Sequence, residues 1–206
     1  MHHGERAEIR RYLWLYHGGA NAEWLPADRD AAERLSGLLR QHYRLDEPQG
    51  GGLMFLSRGD AKQRRLINED GIMMLASFNG FERFEAHAGN HAEQVRRFAE
   101  ADAVIAVHGA GLTNMLFMRP GATVIEAFPA DCVKSTYFWL ARRLGLNYMP
   151  LIGCLGNYKQ AFKLPPEIFI TGLKEWKEMQ QTEIRRSPMR KSQMQLERLG
   201  TVAAAR

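Results

Sequence analysis

The chain has 206 residues, of which 45% are hydrophobic, 25% charged and 10% aromatic. That is ordinary globular composition; it excludes disorder throughout, a collagen-like chain and a small disulfide scaffold. The 28 basic and 23 acidic side chains leave +5, and residues 174–206, with eight Lys/Arg and four Glu, hold +4 of it.

A chain of this length buries roughly 70% of its unfolded surface, so its core needs neither a disulfide nor a metal. The length suits one domain with an appendage. No run of about 18 apolar residues marks a membrane-crossing helix, and no apolar signal core follows Met1–Arg6. Cys132 and Cys154 form neither a CxxC pair nor a zinc spacing.

In chain order, residues 11–17 form an extended apolar segment, and 18–28 and 46–52 are turn-rich punctuation. Leu35, Leu38 and Leu39 predict one face of a helix over 28–44. Leu53–Ser57, behind three glycines, reads as a buried strand, and Asn68 as the cap of a helix running to Ala76. Residues 80–85 alternate as a strand; 90–100 form a helix with Val95, Phe98 and Ala99 on one side. Ala103–Val107 is an uninterrupted apolar strand, followed by a short helix from Gly111 to Phe117 and a strand at 122–126. A helix over 134–144, a strand at 148–152 and, after Pro165-Pro166, a helix over 167–181 complete the body. Residues 182–206 read as a basic, poorly ordered tail.

This alternation predicts an α/β fold, a doubly wound and mostly parallel sheet with helices on both faces and right-handed crossovers. The strand at 103–107 is apolar on both faces, as a central parallel strand requires.

The sharpest chemical feature is Val107-His108-Gly109-Ala110-Gly111-Leu112-Thr113-Asn114. A buried strand ends, a glycine turn follows and a helix begins, which is where ligands of doubly wound sheets bind. Unpaired amides at such a helix start suit phosphate. Gly109 and Gly111 permit close backbone approach, or positive φ where the turn needs it. Glu126 ends the next strand and would stand beside the same crevice, able to accept both hydroxyls of a ribose. The dinucleotide fingerprint GxGxxG is incomplete, because its third glycine is Asn114.

Ser57 to Glu69 also links a strand to a helix. Its cations, Arg58, Lys62, Arg64 and Arg65, oppose one acid, Asp60, before the helix. Guanidinium forks match phosphate oxygens, and here they would neutralise charge on a departing nucleotide. A solvated basic loop is the plainer alternative. Asn68-Glu69 reads as helix cap and first-turn acid. Asp28-Arg29-Asp30 spells DxD but opens a helix, where capping explains it. His87 and His91 sit in a loop with Gly89 between them, a weak metal pattern. Tyr137, Phe138 and Trp139 read as core or groove wall.

The stretch His108–Phe117, with Pro120-Gly121-Ala122-Thr123-Val124-Ile125-Glu126 after it, resembles the signature of glycosyltransferase family 61. Ser57-Arg58 and Arg64–Glu69 resemble the upstream motif of that family, and Glu93-Gln94 with Phe98-Ala99 its intervening helix. The resemblance spans about 53–152. It implies the C-terminal, Rossmann-like half of a two-domain GT-B enzyme, inverting and metal-independent, with no cofactor beyond its nucleotide-sugar donor, UDP the expected nucleotide. On this reading Arg58, Arg64, His108 and Gly109, Ala110, Gly111 and Leu112 line the diphosphate and Glu126 the ribose. His108 is the candidate catalytic residue and could instead touch the transferred sugar. The donor domain would be 28–181, with 1–27 as remnant of an N-terminal domain or linker.

A two-domain enzyme needs roughly twice this length at about 100–200 residues per domain. The expectation is therefore a fragment or a stand-alone half. The expected partners are a nucleotide sugar and a glycan or glycoprotein acceptor, with peripheral membrane association allowed. No basic face on the near-neutral body points to nucleic acid. Bacterial-looking details, Ser57–Ala61 and Ala141–Leu146, favour polysaccharide assembly at the cytoplasmic membrane face; the alternative is the Golgi lumen with an anchor outside this chain. The alternative function is a nucleotide- or NAD-dependent oxidoreductase. A third reading makes the tail, with Arg185-Arg186 and Arg190-Lys191, a binder of phosphate polymers.

Overall fold

The computed structural model describes residues 29–45, 50–59 and 61–186. The segment 11–17, the lead-in 1–27, Asp60 and the tail beyond Arg186 lie outside the described residues.

Five parallel strands form one sheet: β1 (Gly52–Ser57), β2 (Glu82–Glu85), β3 (Ala101–Val107), β4 (Thr123–Phe128) and β5 (Asn147–Ile152), in the order β2-β1-β3-β4-β5. The helices are α1 (Arg29–His42), α2 (Glu69–Ser77), α3 (His91–Glu100), α4 (Thr136–Arg143) and α5 (Pro166–Arg186). The fold is α/β and doubly wound, as the alternation of elements requires.

The sheet separates two cores. On one side α2 and α5 bury Ile72, Phe169 and Trp176 against Phe55, Ile105, Ile125 and Leu151. On the other, α3 and α4 bury Val95, Phe98 and Ala141 against Met54, Val104, Ala106 and Val124. Successive strand residues point to opposite faces, so β3 and β4 feed both cores and must be apolar throughout. Gly80, at φ 85°, supplies the left-handed turn that brings α2 round into β2.

Three elements depart from expectation. Residues Ala110–Phe117 form a 3₁₀ run rather than an α-helix. Helix α5 continues to Arg186, past the expected end at 181. On α1, Leu35 and Leu38 are exposed, and the inner face is carried by Ala32, Leu39 and buried Ser36. Polar contacts seat that helix. Ser36 Oγ donates to the Leu116 carbonyl and Arg40 Nη1 to the Phe117 carbonyl, each at 2.6 Å. These are terminal carbonyls of the 3₁₀ run, which lack partners of their own. The serine and arginine thus outweigh the leucine spacing.

Candidate functional site

In the order 2-1-3-4-5 the chain reverses direction between β1 and β3, and a crevice opens beyond their carboxyl ends. A cavity of about 140 Å³ lies there, lined by Leu56, Ser57, Arg58, Ala61, Ala86, Val107, Gly109 and Gly111. The basic loop after β1 and the glycine turn after β3 therefore meet at one place.

Arg58 and Gly109 are in direct apposition. A Cβ on Gly109 would land on the Arg58 guanidinium. Gly109 has φ 172°, extended backbone open to any residue, so the glycine is required for space and not for its torsion angle. Gly111 is likewise outside the positive-φ region and passes close to Leu56. The base of the Arg58 loop is held by Glu69, which accepts from Ser57 Oγ at 2.5 Å and from the Arg58 amide at 3.3 Å. Within the turn, the Leu112 amide donates to the Gly109 carbonyl at 3.0 Å. The amides of Ala110 and Gly111 precede the first internal bond and remain available to an anion.

Arg64 reaches the site by a different route. Its backbone is left-handed, φ 54°, as is that of Gln160, φ 58°. Non-glycine residues pay for this conformation, and cross-loop bonds hold it. The Arg64 amide donates to the Lys159 carbonyl at 2.9 Å, and Ile67 and Phe162 exchange bonds with the opposite strand of chain. Asn68 completes the strap: its side chain both donates to and accepts from Leu164 instead of capping α2. So fixed, Arg64 Nε donates to the His108 carbonyl at 3.1 Å. Lys62 and Arg65 are exposed.

His108 is 7% exposed and lies on the α4 side of the sheet. Its ring stacks on Phe128, centroids 5.3 Å apart, and tilts against Tyr137 at 5.4 Å. Nδ1 is 2.6 Å from Glu126 Oε1, and Tyr148 donates its hydroxyl to Glu126 Oε2 at 2.5 Å. Burial pushes the Tyr148 hydroxyl well above its ordinary range, and the Glu126 charge adds to the rise. Burial also raises Tyr137; its Thr113 hydrogen bond opposes this, Glu126 reinforces it, and Arg58 and Arg64 oppose it.

Arg58, Arg64, His108, Gly109, Ala110 and Gly111 are therefore brought together. Two expected residues are placed otherwise. Glu126 is fully buried with both oxygens engaged, because β4 runs two residues further than expected, to Phe128; it presents no oxygen to a ribose. Leu112 is sealed in the core and its amide is spent on Gly109. Tyr137, Tyr148 and Glu69 belong to the site although the sequence reading assigns them no role in it.

His87 and His91 have structural duties. His87 Nδ1 accepts from the Gly89 amide, and His91 Nε2 pairs with the Tyr43 hydroxyl at 3.0 Å. Asn114 donates to Gln94 Oε1. Among the described residues no group of three or more His, Cys, Asp or Glu side chains converges as a metal site. A second cavity, about 280 Å³, lies between α2 and α5, shares no lining residue with the first, and is walled by Leu75, Phe78, Ile170 and Leu173.

The glycosyltransferase 61 family model matches residues 15–125, more than half of the chain. A β-1,2-xylosyltransferase of Oryza sativa subsp. japonica is 39% identical over 71 residues, 32% of this chain and 15% of its own length. A xylan glycosyltransferase of Arabidopsis thaliana is 29% identical over 127 residues, 59% of this chain and 25% of its own. An α-1,3-arabinosyltransferase of Oryza sativa subsp. japonica is 36% identical over 95 residues, 42% of this chain and 16% of its own. The chain thus spans a quarter or less of these relatives. With the family's match falling across both loops of the crevice, the chain belongs to the glycosyltransferase 61 family.

Proposed function

We propose that this chain is the donor-binding part of a GT-B glycosyltransferase that moves a pentose from a UDP-linked donor to a hydroxyl of a glycan, with inversion. The observation that carries the reading is the meeting of Arg58 with the Gly109–Gly111 turn around one cavity, with Arg64 bonded to the His108 carbonyl at the head of that turn. Guanidinium groups and helix-start amides are the groups that a diphosphate seeks. At about 140 Å³ the cavity is smaller than the usual 300–1,000 Å³ of a whole-ligand pocket. It suits the diphosphate, and the nucleoside and sugar would lie against surfaces beyond it.

In the transfer, the acceptor oxygen bonds to the anomeric carbon as the bond from that carbon to the diphosphate breaks. The electron pair leaves with the diphosphate, where Arg58, Arg64 and the amides would stabilise the new charge. The hydroxyl proton passes to a general base. The xylosyl- and arabinosyltransferase names of the relatives support a pentose and a polysaccharide acceptor. We place the reaction in polysaccharide assembly at a membrane face, cytoplasmic or, in the alternative, lumenal. Among the described residues no helix is long and apolar enough to cross a membrane.

Calorimetric titration with UDP, GDP, CMP and NAD tests the reading. UDP is expected to bind in preference, and Arg58→Ala to weaken it by about 10- to 100-fold, the worth of a charged hydrogen bond. Preference for NAD, or UDP affinity indifferent to Arg58, would contradict it.

A further inference from the structure

We infer that Glu126 and Tyr148 are positioning residues for His108, holding its imidazole in the Nδ1–H form so that Nε2 carries the lone pair. The inference deepens the donor-site reading and rests on it for the identity of the crevice.

Ile125 and Ala127 feed the α2/α5 core, so Glu126 points to the α3/α4 side, where Val124 packs. His108, one residue past β3, projects to the same side and meets it. Glu126 is fully buried, and a buried carboxylate persists only when paired and hydrogen-bonded. Both of its oxygens receive a partner, His108 Nδ1 and the Tyr148 hydroxyl. Tyr148 is held protonated by burial and by the Glu126 charge, so it acts as donor. An ionised carboxylate only accepts, so the second proton is on Nδ1.

Nε2 is then the basic nitrogen. It makes no hydrogen bond among the described residues, yet it is not among the polar atoms sealed from solvent. The Phe128 stack and Tyr137 prevent the ring from turning away. A carboxylate on one nitrogen and an open lone pair on the other is the arrangement that a histidine proton acceptor needs. His108 stands at the head of the glycine turn, so that this lone pair would face the bound donor and accept a hydrogen bond from a hydroxyl of the transferred sugar.

The test is the imidazole nitrogen-15 spectrum of the chain at neutral pH, read with UDP affinity. The wild-type protein is expected to show protonated Nδ1 and unprotonated Nε2. Glu126→Gln, whose amide can donate to Nδ1, is expected to populate the Nε2–H form while UDP affinity changes less than about threefold. That change is below the worth of one hydrogen bond to a charge. Tyr148→Phe keeps Glu126 and should retain the wild-type form, which covers the case of a Gln variant that does not fold. Wild-type protein in the Nε2–H form, or doubly protonated, overturns the inference. So does a fall in UDP affinity in Glu126→Gln as large as in Arg58→Ala, which would make Glu126 a ligand. If the wild-type chain binds no UDP, the donor-site reading fails, and the spectrum alone still decides the positioning.

Discussion

Glu126 Oε1 lies 2.6 Å from His108 Nδ1, a contact made across adjacent parallel strands by residues 18 apart in the chain. The register pairs Ala106 with Glu126, so His108, two residues on, projects from the same face. Removing the carboxylate leaves two donors buried without an acceptor. Glu126→Leu is expected to lower stability by about 3 kcal/mol, the summed cost of two orphaned polar groups. Glu126→Gln should cost less than half of that. Urea midpoints of the two variants measure the difference.

Gly109 and Arg58 share one volume, so Gly109→Ala should displace the guanidinium rather than strain the backbone. The variant is expected to fold, with UDP affinity reduced by about tenfold or more. Arg58→Ala should then add little on top of Gly109→Ala, because both remove the same contact. A double-mutant cycle by calorimetry reads the coupling.

At Arg64 the backbone and the side chain can be separated. Glycine accepts the left-handed conformation without penalty, whereas alanine pays for it as arginine does. Arg64→Gly is expected to be more stable than Arg64→Ala by about 1 kcal/mol. Both lose the donor to the His108 carbonyl and should lose UDP affinity equally. Denaturant midpoints and titrations distinguish the two effects.

Much of this was legible in the residues. The strand read at 103–107, which begins two residues earlier at Ala101, and the turn after it are marked by an unbroken apolar run and two glycines, features that local chemistry dictates. The convergence of Arg58 with Gly109 followed from strand-end topology alone. The role of Glu126 did not, because it depends on β4 continuing to Phe128 and on the register with β3, and neither is a local property. Tyr137 and Tyr148 carry no sequence mark that separates a hydrogen-bonded tyrosine from a packed one. Leu35 and Leu38 misled for the converse reason: apolar spacing on α1 was outweighed by Ser36 and Arg40 bonding carbonyls nearly eighty positions away.

Tyr148 makes the protein sensitive to alkali. Its folded value lies above the unfolded value of about 10, so the unfolded chain gives up the proton first. Its contribution is complete below about pH 10 and is lost as pH rises, by at most about 1.4 kcal/mol per pH unit. Tyr148→Phe should show a shallower loss of stability as pH rises above about 10. Urea titrations across that window read the slope.

The central claim is that the crevice between β1 and β3 holds a nucleotide diphosphate. The most direct measurement is the backbone amide spectrum of the chain as UDP is added. Shifts are expected to concentrate at Arg58, Arg64 and His108–Gly111, with the α2/α5 groove around Phe78 and Ile170 unmoved. Shifts centred on that groove, or spread without focus on the two loops, would contradict it.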